Sequence, residues 1–290
     1  MHYPNVGVFF ASAKFKRKGN TEMDNLLSDV MTNTQFSIVY NMLSLGIASM
    51  LFTSIFLWFA RDRVLPKYRL AVMVSATVTS IAAYHYFRMF DSFHAAYGGT
   101  HTAGMGLVEA FAHYNVGYRY VDWFLTVPLL LVELVAVLGL ARDKQSSLLK
   151  RLVPAAALMI ILGYPGDLKL TVFGISDPGT WGALSTIPFL YIMYVLWVEL
   201  SKSLASQSAK IRGLFLGLRL LLIATWGVYP ITFILAMGHA VPTAEDVVAR
   251  EVGYSIADIL AKCVFGLIIF TVARIKSAED DKAFAKEEGH

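Results

Sequence analysis

The chain has 290 residues, 56% of them hydrophobic and only 16% charged. Soluble domains carry about 25% charged residues, so this balance excludes an ordinary soluble protein and points to a membrane protein. The formal net charge of +4 does not point to a nucleic-acid partner, because the basic residues sit in short clusters beside apolar segments, where membrane topology accounts for them.

In chain order, residues 1–33 read as an N-terminal tail. Lys14, Lys16, Arg17 and Lys18 form a basic cluster there, and no apolar core of a signal peptide follows it closely. A membrane-crossing helix needs about 20 mostly apolar residues. Seven segments qualify, at about 35–60, 68–90, 118–140, 152–172, 181–201, 214–237 and 252–275. The short connections leave no room for an inserted soluble domain. The expected fold is an all-α membrane protein, a seven-transmembrane-helix bundle over residues 34–276, with a C-terminal tail at 277–290.

The loops set the orientation. Arg61, Arg63, Lys67 and Arg69 lie between the first and second segments, and Arg142, Lys144, Lys150 and Arg151 between the third and fourth. Lys202, Lys210 and Arg212 lie between the fifth and sixth, and Arg274, Lys276, Lys282 and Lys286 follow the seventh. All four groups fall on one side of a seven-span topology. The excess of Lys and Arg makes that side cytoplasmic, which places the N-terminus outside and the C-terminus in the cytoplasm. The single cysteine, Cys263, allows neither an intrachain disulfide nor a cysteine metal site.

Ionisable residues inside the spans are costly and mark function. The third segment contains RYVDWFLTVPLLLVE, with Arg119, Asp122, Thr126 and Glu133 on one stripe. Asp122 and Glu133, eleven residues apart, share a face but lie about 16 Å apart at ~1.5 Å per residue. Running from outside to inside, this helix puts Arg119 and Asp122 in the outer half and Glu133 near the cytoplasm. In the seventh segment, Asp258 and Lys262 are four residues apart on one face. Two carboxylates can balance Lys262 and Arg119. An apolar pocket also favours the neutral amine that condenses with an aldehyde. Such a linkage, once protonated, needs a counterion, for which Asp122 and Asp258 are placed. Glu133 stands in the apolar stretch LLLVELVAVL, where the protonated form costs less than the anion. The series would be an acceptor, a lysine and a donor along the membrane normal.

At these residues the chain resembles the microbial rhodopsins, and among them the proton pumps of proteorhodopsin and xanthorhodopsin type. The resemblance rests on the third-segment stretch, on WGVYP (Trp226–Pro230) in the sixth and on ADILAK (Ala257–Lys262) in the seventh. It extends over about residues 35–275. It implies all-trans retinal held on Lys262 as a protonated Schiff base, Asp122 as proton acceptor and primary counterion, Asp258 as second counterion and Glu133 as cytoplasmic donor. The Asp122, Thr126, Glu133 set is similar to that of outward proton pumps. Sodium pumps would show Asn, Asp and Gln there. His85 is similar to the histidine that pairs with the acceptor in this branch, and histidine titrates in a useful range.

The resemblance also implies a retinal slot formed by Trp123, Trp226, Tyr229 and Pro230, with Tyr254 near the lysine and Met159 and Gly163 near the ring end. Leu130, apolar where colour is tuned, implies green absorption. Gly182 stands where many relatives carry tryptophan and xanthorhodopsin-like members carry glycine, which implies a window for a hydroxylated carotenoid antenna. A homo-oligomer, pentamer or trimer, is implied as well. One departure concerns proton release. Arg250 stands eight residues before Asp258, where the archaeal pump has a glutamate, and Glu109, Glu245 and Glu251 read as solvated loop charges.

The chain thus reads as a light-driven ion transporter and not an enzyme. Two other readings fit parts of the pattern. A photosensor signalling to a transducer would use Lys262 and Asp122 but would not need Glu133. A colourless receptor or transporter would use the charges as a buried cluster alone.

Overall fold

The computed structural model describes residues 31–98, 110, 113–236 and 243–287. The basic cluster at Lys14–Lys18 and Glu109 lie outside the described residues. The long helices are α1 (Asn33–Ala60), α2 (Pro66–Tyr97), α3 (Gly117–Ala136), α4 (Arg142–Asp167), α5 (Pro178–Tyr194, continued through Leu204), α6 (Ala209–Ala236) and α7 (Ala244–Asp258, continued through Asp280). A short α8 (Lys282–Glu287) follows. Six of the seven long helices are apolar and long enough to cross a membrane by composition alone. The other, α3, is the one that carries Arg119, Asp122 and Glu133, and these charges lower its apolar character. The architecture is the expected seven-helix bundle.

Helix ends follow local chemistry more than hydropathy. The Thr32 side chain caps α1 and Gln35 returns the bond, a reciprocal capping box. Thr243 and Asp246 do the same for α7. That cap starts α7 two turns before the apolar run at 252, which brings Glu251 into the helix. In α4, the polar stretch RDKQSSLLKR already forms helix, because its Lys, Arg, Gln and Leu are good helix formers. The helix therefore begins ten residues before the expected apolar start at 152.

Helices adjacent in sequence pack side by side from α1 to α5, while α7 packs on α1, α2 and α6. The polarity is inverted relative to a soluble protein. Phe52, Phe59 and Ile187 are 67%, 82% and 66% exposed on the perimeter, while Arg119, Asp122, Glu133, Asp258 and Lys262 are each at most 2% exposed. In lipid, the apolar perimeter meets hydrocarbon and the backbone is satisfied within helices.

On the side carrying the basic loops, α7 runs past residue 276 and is tied to the α1–α2 turn. Leu65 N–H donates to Ser277 Oγ at 2.9 Å, Lys67 Nζ lies 2.7 Å from Asp280 Oδ2, and Tyr68 OH donates to Asp280. Residues 277–280 thus belong to the bundle rather than to a tail.

One close approach in the core positions a functional side chain. Tyr86 of α2 lies across Gly46 of α1, so that a Cβ at 46 would fall within the tyrosine ring. Tyr86 is fully buried and donates to Asp258. Gly46→Ala should therefore destabilise the bundle by about 1–3 kcal/mol through overpacking. Gly213→Ala meets no atom within 4 Å and should be neutral or slightly stabilising. Thermal unfolding of the two variants in detergent checks this, and equal midpoints would refute the packing role.

Candidate functional site

The site begins at a change in helix geometry. Between Ile259 and Val264, α7 widens into a π turn, a feature frequent at functional sites. Lys262 lies in this turn and reaches the middle of the bundle. Its Nζ stands 2.5 Å from Asp122 Oδ2 on α3 and 3.1 Å from Asp258 Oδ1 on its own helix. One buried ammonium thus faces two buried carboxylates. Removing one partner of such a buried pair costs about 3–5 kcal/mol, so the three groups stand or fall together.

The two carboxylates differ. Asp258 is saturated with donors. Tyr229 OH donates to Oδ1 at 2.6 Å, Tyr86 OH to Oδ2 at 2.8 Å, Trp123 Nε1 to Oδ1 at 3.3 Å, and Arg119 Nη1 lies 3.5 Å from Oδ2. Asp122 has the lysine on Oδ2, and its Oδ1 has no hydrogen-bond partner among the described residues. A carboxylate held by many donors is fixed as the anion, while one with a free oxygen has room for a proton. Thr126 Oγ1 donates to the Asp122 backbone carbonyl at 2.8 Å, one turn back, and not to its carboxylate. His85 is buried on α2, edge-on to Tyr84 at 5.1 Å, and its Nδ1 has no hydrogen-bond partner among the described residues.

Glu133 lies three turns further along α3 and is fully buried. Ser75 of α2 donates to its Oε2, and Oε1 has no hydrogen-bond partner among the described residues. No described ion pair involves Glu133, so it occupies a different electrostatic setting from Asp122.

A cavity of about 400 Å³ extends from Lys262 between α3, α4, α5, α6 and α7. Small-molecule sites run about 300–1,000 Å³. All the pocket residues singled out in the sequence line it: Trp123, Leu130, Met159, Gly163, Gly182, Trp226, Tyr229, Pro230 and Tyr254. Trp123, Tyr229 and Tyr254 pack as a cluster, with ring centroids 4.6–5.5 Å apart. At Gly163 an added Cβ would meet Ser185 Oγ at 3.4 Å, so a side chain there would narrow the cavity. The wall is mostly aromatic and aliphatic, with Lys262 and Asp258 as its charged members. The fit is to a long apolar molecule with one amine-reactive end.

Two residues at the site were not singled out by sequence, and a third was misread. Tyr86 and Ser75 are ordinary polar residues in an apolar helix, and only the tertiary structure brings them to Asp258 and Glu133. Glu251 is a correction. Expected as a solvated loop charge, it is 1% exposed, within α7, and 2.6 Å from Arg119 Nη2. The capping box at Thr243 was the available signal, since it places residue 251 seven before Asp258 on the same helical face. Glu245 is exposed in the first turn of α7, as expected.

The chain matches the family model described as bacteriorhodopsin-like protein over residues 38–276. A green-light absorbing proteorhodopsin from Gamma-proteobacterium EBAC31A08 is 28% identical over 78% of this chain and 82% of its own length. A bacteriorhodopsin from Haloterrigena sp. (strain arg-4) is 31% identical over 72% of this chain and 76% of its own. Among solved structures, xanthorhodopsin, described as a light-driven ion pump with dual chromophore, superposes with a TM-score of 0.78 at 45% identity, covering 86% of this chain and 97% of that one. A thermophilic rhodopsin superposes with a TM-score of 0.76 at 42% identity over 87% of this chain and 98% of its own. With its buried lysine–carboxylate centre and its seven helices, the chain belongs to the bacteriorhodopsin-like family, as a microbial rhodopsin of proteorhodopsin and xanthorhodopsin type.

Proposed function

We propose that the protein is a light-driven proton pump that carries retinal on Lys262 and moves protons out of the cell. The observation that carries this reading is the series along the bundle: Asp122, with one free oxygen, at 2.5 Å from Lys262 Nζ, and Glu133, buried without a cationic partner, about 16 Å further along α3 at ~1.5 Å per residue. Retinal, bound through Lys262 as a protonated Schiff base, supplies the light absorption and the change of shape that follows it. The cavity walls hold the polyene between Trp123, Trp226, Tyr229 and Pro230. Asp122 accepts the proton carried at Lys262 Nζ. Asp258, fixed by Tyr86, Tyr229 and Trp123, stays ionised and holds the net charge of the centre. Glu133 returns a proton to Lys262 Nζ from the opposite side. In this reading His85 acts from α2 as the acceptor's partner, Thr126 lies one turn from it on α3, and Leu130 sets an apolar wall suited to green absorption.

The direction follows from charge. Glu133 lies toward the basic, cytoplasmic face and Asp122 toward the other. The protein is then a multi-pass component of the cell membrane, with its N-terminus outside and its C-terminus in the cytoplasm. A photosensor would need no proton donor at Glu133, and the Ser75–Glu133 pairing favours the pump.

A second chromophore is a finer reading. Gly179 and Gly182 line the cavity wall on α5, and xanthorhodopsin is described as having dual chromophores. We propose that a hydroxylated carotenoid lies against the Gly182 face and passes excitation to retinal.

Illumination of cells expressing the chain with retinal should acidify the medium, and a protonophore should abolish the change. Alkalinisation, or no pH change, would overturn the outward direction. Lys262→Ala should be colourless, and Glu133→Gln should slow the late recovery of the photocycle by roughly 10- to 100-fold at neutral pH. With added carotenoid, the excitation spectrum should gain carotenoid bands that Gly182→Trp removes. Bands of equal strength in both proteins would refute the window.

A further inference from the structure

Outside the lysine centre, a second cluster of buried charge lies toward the outer face. Glu251 is its hub. Its Oε2 is 2.6 Å from Arg119 Nη2 and accepts from Tyr114 OH at 2.9 Å, and its Oε1 is 3.3 Å from Arg250 Nε. Tyr97 of α2 and Asp167 at the end of α4 also interact electrostatically with it. Arg119, Tyr114 and Glu251 are each at most 5% exposed.

Arg119 stands between this hub and the lysine centre. Its guanidinium is caged by the rings of Tyr254, Tyr86 and Trp123 at 5.0, 5.9 and 6.0 Å. Its two ends are unequally engaged: Nη2 makes a short charge-assisted bond to Glu251, while Nη1 reaches Asp258 only at 3.5 Å. No described hydrogen bond or ion pair joins Arg119 to Asp122. The cation nearest the acceptor after Lys262 is therefore drawn outward.

We propose that Glu251 is a positioning residue that holds Arg119 at the outer end of the site, away from Asp122, and so sets how readily Asp122 keeps a proton. In this role Glu251 replaces no proton-release glutamate. Flanked by Arg119 and Arg250, it works as a fixed anion. Its removal has two consequences of the same sign. An anion is lost from the acceptor's surroundings, and Arg119 is released to approach the acceptor's free oxygen. Both favour the ionised form of Asp122.

The inference rests on the proposed retinal reading, because a bound chromophore beside Asp122 reports its protonation as a change of colour. The experiment is a pH titration of the absorption spectrum of the full chain reconstituted with retinal. Glu251→Gln should move the midpoint of the colour change to lower pH by roughly one unit. Glu251→Asp, which keeps the charge, should recover most of the shift. Arg250→Gln, which removes a competing cation from Glu251, should move the midpoint the other way and keeps the test open if Glu251→Gln does not fold. In an Arg119→Gln background, Glu251→Gln should shift the midpoint by less than about a third as much, since coupled residues are not additive. A purely structural contact would give neither opposed signs nor dependence on Arg119. Coloured variants whose midpoints coincide with the wild type overturn the role of Glu251 alone. A wild-type protein that takes up no colour from retinal overturns the reading beneath it as well.

Discussion

An ammonium ion within the hydrocarbon span of a bundle must be neutralised by groups the bundle itself supplies, because no water shell is there to carry the cost. Lys262 imposes that condition, and much of the interior answers it. Asp122 and Asp258 approach it at 2.5 and 3.1 Å. Asp258 then needs donors of its own, which fixes Tyr86, Tyr229 and Trp123 on three different helices. Tyr86 can reach it only because Gly46 gives way beneath its ring. A chain of necessity thus runs from one lysine to a glycine on α1. Buried ion pairs rarely add net stability over apolar packing, so this investment of charge is better understood through what it does than through what it holds together.

The centre is asymmetric along the bundle axis. Toward one end of the bundle are further charges, with Glu251 paired to both Arg119 and Arg250. Toward the end that carries the basic loops lies Glu133, which no described ion pair involves and to which Ser75 donates. The centre thus faces a cluster of charges in one direction and a buried carboxyl held by a serine in the other. This polarity is a property of the side chains alone, and it matches the polarity of the loops.

Much of this was legible in the sequence because membrane helices are strongly constrained. A charge within an apolar run stands out, and the helical period then decides which charges share a face. Phase alone placed Asp122, Thr126 and Glu133 on one stripe, and Asp258 and Lys262 one turn apart. The lining of the cavity was legible only through resemblance, since Trp226, Met159 or Gly182 carries no signal of its own in an apolar helix. Tyr86 and Ser75 were illegible because their partners lie 172 and 58 residues away. Glu251 was misread for a different reason. Hydropathy finds where a helix becomes apolar, not where it starts. The capping box at Thr243 extends α7 outward and carries a charged residue into the interior with it.

The π turn at Ile259–Val264 joins these observations. In an unbroken α-helix, Asp258 and Lys262 would be ordinary i, i+4 neighbours along one face. The wider turn loosens the backbone around the lysine itself, at the point where α7 changes from the charged outer half to the apolar inner half. The lysine is therefore held by two carboxylates and is carried by the π turn of its helix. Electrostatic restraint holds Nζ between two carboxylates, while the backbone that carries it departs from regular helical bonding, a feature frequent at functional sites. Within six residues, α7 thus combines a tightly held ammonium with an irregular backbone.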